Sequence, residues 1–296
     1  MTITARIRLG VLALAGILGV AGVQLEAQNA QPAQRVDISG EWVVITHEDR
    51  PNFGDPGPEL GDYTGLPINA GARQKATSWD ASSLSQPERQ TQTHPAQYVA
   101  NNRGPARISK IREPVTQRHI GYALAGGYGR ADRIVWTDGR PHPSEVSEHT
   151  WSGFSTGVWE DGVFVITTTH LKTGMLRRNG VYSSPYAKMV EHYFRTGNDI
   201  VVFIWIDDPL TLDEPMVRTY MLRWNPSGDT AAGQVFEAVD ELGDRPPGWV
   251  PFFPLGTRHT QYGERFKIPF EATLGGAETL YPEYRKKITG TYKPPA

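Results

Sequence analysis

The sequence predicts an all-β fold: an antiparallel barrel or strongly bent sheet, with long Pro- and Gly-rich segments wrapped around it and a few short helices. Three observations predict it. Val163 to Lys172 and Ile200 to Asp207 are runs of β-branched and aromatic residues, which suit a pleated surface. Asp161-Gly162 and Gly197-Asn198 sit between β-prone runs, and such dipeptides favour tight hairpins because they tolerate positive φ. The chain carries 31 Gly and 23 Pro, so turns are many. A two-sheet sandwich is the alternative closure for the same strands.

Met1 to Arg8 holds two arginines and no acid, and Leu9 to Val23 is apolar and small. This reads as a signal peptide over 1–27, with Ala27 as the small residue at the cleavage site. About 15 apolar residues fall short of the ~20 that span a bilayer. An uncleaved anchor is the alternative, but the expectation is no stable membrane span after cleavage. Residues 28–296 are then one periplasmic or secreted domain, with core strands at about 36–46 and 107–224 and a C-terminal wrap over 225–296. The chain has no Cys, which removes disulfides, Cys-ligated zinc and thiol nucleophiles. A net charge of −2 without a basic cluster argues against nucleic acid. Oligomeric state is not legible.

The elements follow in order. Ile38 to Ile45 opens the fold as a strand, and Arg50 to Pro67 is a long loop. Asn69 to Trp79 suits a short helix, and Ser85-Gln-Pro-Glu88 is a capping pattern for another. Arg107 to Glu113 and Val115 to Leu124 form a strand pair. Ala125 to Gly129 is glycine-rich but lacks a following Gly-Lys-Ser/Thr, so it reads as a turn and not a phosphate loop. Arg133 to Pro143 is a strand, a turn and a loop in which Pro on both sides fixes His142.

The Asp161-Gly162 turn sets a register, with Glu160 opposite Val163 and Trp159 opposite Phe164. Alternation then gives one face to Trp159, Phe164, Ile166, Thr168, His170 and Lys172. Likewise Gly197-Asn198 sets Glu191 opposite Ile204 and His192 opposite Phe203. Ile200 to Ile206 is apolar on both faces and reads as buried on both. The Pro-rich tail is the expected cover, laying Trp249, Phe252, Phe253 and Tyr281 on the outer face. Met216 to Trp224 is a strand with Arg218, Tyr220 and Trp224 on one face, and Gln234 to Leu242 a short strand or helix.

The face that begins with Trp159 is apolar at one end and polar at the other, as a cavity wall with a polar rim is. Lys172 and His170 share it and suit nucleophilic or acid–base chemistry. Arg177 and Arg178 follow in a turn and suit a carboxylate, phosphate or enolate oxygen. Glu191, if inward, needs a partner, for which Arg218 is the candidate. Each of these also reads as an ordinary rim residue or structural ion pair. The eight His residues make no zinc spacing, so neither metal nor cofactor is expected, although His142 and His149 are close in sequence.

Two resemblances add to this. Gly40-Glu-Trp42 resembles the Gly-x-Trp on the first strand of lipocalins and related calycin barrels, and implies an up-and-down barrel around a small-molecule cavity. Asp138-Gly-Arg-Pro-His-Pro143, His170-Leu-Lys-x-Gly174, Arg177-Arg-Asn-Gly180 and Tyr281-Pro-Glu-Tyr284 together resemble a family of exported bacterial proteins without an assigned activity. The expectation is a binding protein for a partly apolar ligand with an acidic or carbonyl group. Trp159, Phe164 and Ile166 would form its wall, and Lys172, Arg177, Arg178, Arg218 and His142 its polar end. Two alternatives stand: a cofactor-free lyase or isomerase using His170, Lys172 and Glu191, and an envelope interaction protein using the aromatic tail.

Overall fold

The computed structural model describes residues 36–45, 59–81, 87–102, 107–125, 132–228, 246–250 and 252–288. Apart from Val36, the described residues fall within one compact unit, Asp37–Ala296. The signal-peptide reading and the Gln234 to Leu242 segment lie outside the described residues.

Nine strands close into a barrel in the order β1 (Gly40–Ile45), β11 (Met216–Trp224), β10 (Asp199–Asp207), β9 (Lys188–Thr196), β6 (Val163–Thr169), β5 (Phe154–Glu160), β4 (Arg133–Trp136), β3 (His119–Ala125) and β2 (Arg107–Arg112). A two-stranded ladder, β7 (Gly174–Met175) with β8 (Tyr182–Ser183), lies outside it. Closure runs through β1, which pairs with both β11 and β2.

The barrel is not wholly antiparallel, because β4 pairs with β5 in parallel. Their connection, 137–153, carries the Pro-flanked His142 and returns to the starting end instead of turning back as a hairpin. Both predicted hairpin registers hold: Trp159 faces Phe164, and Glu191 faces Ile204. Asp161 and Gly162 both take positive φ, 47° and 84°, as the Asp-Gly turn requires. The strand expected from Val115 begins only at His119. The Glu113 carboxylate accepts the N–H groups of Val115 and Thr116 and holds 113–118 as a turn.

The inner face is filled by alternate residues. Ile200, Val202, Ile204 and Ile206 of β10, Met189 and Tyr193 of β9, and Phe164 and Ile166 of β6 are all buried. Gly157 faces Phe164 so closely that a Cβ there would meet its ring. Trp42 is buried inside, its indole N–H donating to Ile38 O at 3.2 Å.

The outer face of β10 departs from expectation. Phe203 and Trp205 are 44 % and 48 % exposed, so this strand is buried on one face only. The C-terminal segment does not cover it. Instead, Phe253 N donates to Ser78 O, His259 contacts Thr77 O, Gly276 N donates to Leu66 O, and Tyr63 N donates to Thr273 O. Phe252 forms a bridge with Trp79, and Tyr281 donates to Glu214 at 2.7 Å. The tail thus packs on residues 59–81, whose carbonyls need donors, rather than on strands already saturated by barrel closure.

Residues 59–81 and a second helical segment, 94–102, pack on the core. α1 (Ala70–Ser78) is capped by Asn69, whose side chain accepts from Ala72 N at 2.9 Å. The segment is tied to the turn after β10 by Asn69 N donating to Thr211 O. α2 (Ala96–Asn102) packs against β10, with Ala96 N donating to Trp151 O. The expected helix near Ser85 is a single 3₁₀ turn, Pro87–Gln90.

Candidate functional site

Two polar arrays flank β6 on opposite faces, and adjacent residues start them. Thr168 points inward and is fully buried, while Thr169 lies on the outer face.

The inner array is built on charge. The Arg133 guanidinium pairs with Glu191 and donates to Thr168 Oγ1 at 3.1 Å. Thr168 Oγ1 also bonds Ser155 Oγ at 2.8 Å. The Tyr193 hydroxyl donates to Glu191 Oε1 at 3.3 Å and lies 3.2 Å from that of Tyr220. Because Tyr193 has spent its proton on Glu191, Tyr220 donates to Tyr193. Burial, with the nearby Glu191 charge, pushes both phenols above their ordinary range, so they stay protonated at neutral pH.

Glu191 therefore has a different partner from the one expected. Arg218 stands on β11, two strands from β9 on one side, and Arg133 on β4, three strands away on the other. Arg133 wins because Ser155, Gly157 and Thr168 between them are small and leave room for a guanidinium. No local pattern shows this, since it depends on strand order. Alternation puts Glu191 with Tyr193 and Arg218 with Tyr220, and the registers bring both pairs to the inner wall, so it does not tell the two arginines apart.

Arg218 is left over. It lies on the inner face, beside Ile204 in the ladder and two residues before the buried Tyr220. Among the described residues its guanidinium makes no hydrogen bond and no ion pair. Loss of hydration lowers its pKa, against the attraction of Asp62.

The outer array is built on neutral groups. His142 lies between Thr156 Oγ1, 2.8 Å from Nε2, and Thr169 Oγ1, 2.7 Å from Nδ1. Thr169 Oγ1 is also 2.7 Å from His170 Nδ1, and His170 Nε2 is 2.8 Å from Ser144 O. A carbonyl only accepts, so His170 donates from Nε2 and accepts at Nδ1 from Thr169. Thr169 then accepts from His142 Nδ1, and His142 Nε2 accepts from Thr156. The hydroxyls of Thr156 and Thr169 can each donate or accept, so they match either role of the ring nitrogens they meet. His149 adds a third ring 5.2 Å from His170, with Nδ1 donating to Leu171 O. Burial lowers the His142 pKa, helped by His170 and by Lys188. Asp138 and Arg140 clasp each other at the start of this loop, with Arg140 stacked 3.6 Å from the Trp136 ring. Their hydrogen bonds hold the Asp138 carboxyl down to about 2.

The expected convergence of His170, Lys172 and Glu191 does not occur. His170 follows the last residue of β6 with φ 56°, and this left-handed turn swings its ring to the loop and away from the inner wall. Lys172 is exposed, its Nζ 5.6 Å from the Trp151 ring centre. Arg177 and Arg178 are half-buried and both have partners. Their turn is fixed by Asn179, which is fully buried and donates to Asp62 O. Trp159, Phe164 and Ile166 do share the inner wall, with Phe164 5.0 Å from Trp159 and 5.2 Å from Tyr122 between ring centres. No group of three or more His, Asp or Glu suited to a metal ion occurs among the described residues. No described helix is long and apolar enough to cross a membrane.

Comparison with known proteins gave no matching family model, no matching curated protein and no matching solved structure.

Proposed function

We propose that this chain is an exported small-molecule-binding barrel, taking a partly apolar ligand whose acidic group pairs with Arg218. One observation carries the reading: a half-buried guanidinium on the inner wall, without a hydrogen-bond or ion-pair partner among the described residues. Such a group gains from an anion, because a carboxylate accepts its two parallel N–H groups. Phe164, Ile166 and Tyr122 supply apolar surface on the same wall. Entry requires the segments packed over that end, including 59–81, to part. The export half of the reading rests on the basic-then-apolar start of the sequence.

Lys172, Arg177 and Arg178 have no part in this reading. The test is native mass spectrometry of the protein purified from its host, comparing Arg218→Met with Lys172→Met. Arg218→Met is expected to lose the co-purifying compound and Lys172→Met to keep it. Retention by Arg218→Met rejects the reading.

A second reading, acid–base chemistry on the same ligand, draws on the line from Glu191 through Tyr193 to Tyr220. It replaces His170 with Tyr220 as the group nearest the ligand. Tyr220→Phe would abolish turnover while sparing binding.

A further inference from the structure

The end of the barrel where β10 stops carries polar groups that its packing leaves unmet. Gln97, Ser183 and Thr211 are fully buried. Both ends of the Gln97 carboxamide and the hydroxyls of Ser183 and Thr211 have no hydrogen-bond partner. All three belong to segments gathered around one strand end. Thr211 N donates to Asp208 O, one residue past β10. Ser184, next to Ser183, donates twice to the Asp208 carboxylate, both at 2.6 Å. Gln97 is on α2, which packs against β10, and Pro95 just before it abuts Gly174, the ladder partner of Ser183. Arg218 pairs with Ile204 on the same strand.

Asp208 shows what a satisfied group looks like here. Its oxygens take the N–H and hydroxyl of Ser184 and the N–H of Leu210. The neighbouring hydroxyls and carboxamide have nothing comparable, and folded proteins seldom leave such groups unpaired. They are the right types for a guest with several hydroxyls: a carboxamide that both donates and accepts, and two alcohols that do either. The charge count narrows the guest further. Arg133 and Glu191 neutralise each other, and among the described residues Arg218 has no ion-pair partner, with Asp62 attracting it from further off.

We propose that this strand end recognises a hydroxylated monocarboxylate of the sugar-acid class, its carboxylate on Arg218 and its hydroxyls on Gln97, Ser183 and Thr211. This rests on the reading of Arg218 as an anion anchor and adds the chemistry of the rest of the ligand. An unsubstituted carboxylate would fill the site and leave the carboxamide and hydroxyls unpaired, so a site of this kind discriminates against it.

Titration calorimetry on the full chain with gluconate, hexanoate and the neutral polyol sorbitol tests it. Gluconate is expected to bind at least roughly tenfold more tightly than hexanoate, with sorbitol weakest. Arg218→Met weakens both acids. Thr211→Val and Ser183→Ala weaken gluconate alone and leave the thermal midpoint of the unliganded protein unchanged or raised, since an unpartnered hydroxyl holds nothing together. Hexanoate binding as tightly as gluconate overturns the ligand class while Arg218 keeps its role. Sorbitol matching gluconate, or both acids indifferent to Arg218→Met, overturns the anchor itself, and no binding by any of the three rejects both. If Thr211→Val and Ser183→Ala lower the thermal midpoint and spare affinity, these groups hold buried water only and the proposal falls.

Discussion

Thr168 and Thr169 are neighbours in sequence and belong to different chemistries. Thr168 serves the inner array, where Arg133 and Glu191 are sealed from water and each is held by the other. Thr169 serves the outer array, where two imidazoles share its hydroxyl and His142 is only partly covered, while His170 is buried. The difference teaches that burial decides what a polar array can tolerate. The inner one must keep its charges matched, because no solvent replaces a lost partner. The outer one can exchange a hydrogen bond for water, and its hydroxyls can reverse direction when a ring changes protonation.

The comparison is sharpened most by Glu191→Gln. It leaves the Arg133 guanidinium buried without its counter-charge and is expected to cost about 3–5 kcal/mol, read by urea unfolding. The double variant Arg133→Met with Glu191→Leu should recover most of that loss. Failure to recover would mean that the array does more than balance charge.

Next come the two threonines themselves. Thr168→Val removes an acceptor from a buried guanidinium and should cost about 1–3 kcal/mol. Thr169→Val should cost less, about 0.5–1.5 kcal/mol, because water reaches its partners. Equal losses would break the distinction between the faces.

The smallest effect expected is acid lability of the outer array. The His142 pKa is lowered below its ordinary 6.5 in the folded chain. The unfolded chain therefore takes up the proton first, and stability present above about pH 6.5 falls as pH drops through the folded value. His170 and Lys188 lie near the ring and disfavour its charged form, and its hydrogen-bond partners are the hydroxyls of Thr156 and Thr169. The thermal midpoint followed from pH 8 to pH 5 should show a step that His142→Gln lacks. A step of the same size in that variant would assign it elsewhere.

The barrel and its hairpin registers were legible because they follow from local rules. Asp161-Gly162 and Gly197-Asn198 set which residues face each other, and Glu191 was correctly opposed to Ile204. The site was less legible, for three physical reasons. The Arg133–Glu191 pair depends on strand order, which no local period encodes. His170 left the inner wall through a single left-handed residue at the end of a strand whose alternation pointed the other way. Ile200 to Ile206 was read as doubly buried because its composition is apolar, but composition does not say what covers a face, and the tail found its partners on residues 59–81. Arg218 and Tyr220 were placed together correctly, because that needed only a period of two.

Trp42, near the start of the barrel, pairs with Trp224, the final residue of its last strand, and β1 sits between that strand and β2. A growing polypeptide therefore cannot seal this cylinder until residue 224 has emerged. Until then β1 and β10 present open edges, and β10 also carries an aromatic outer side. Folding must begin with the nearby hairpins and finish with one distant junction, a route that is slow and prone to sticking between chains. Helper proteins that shield nascent strands should matter more to the yield of this molecule than its finished stability suggests.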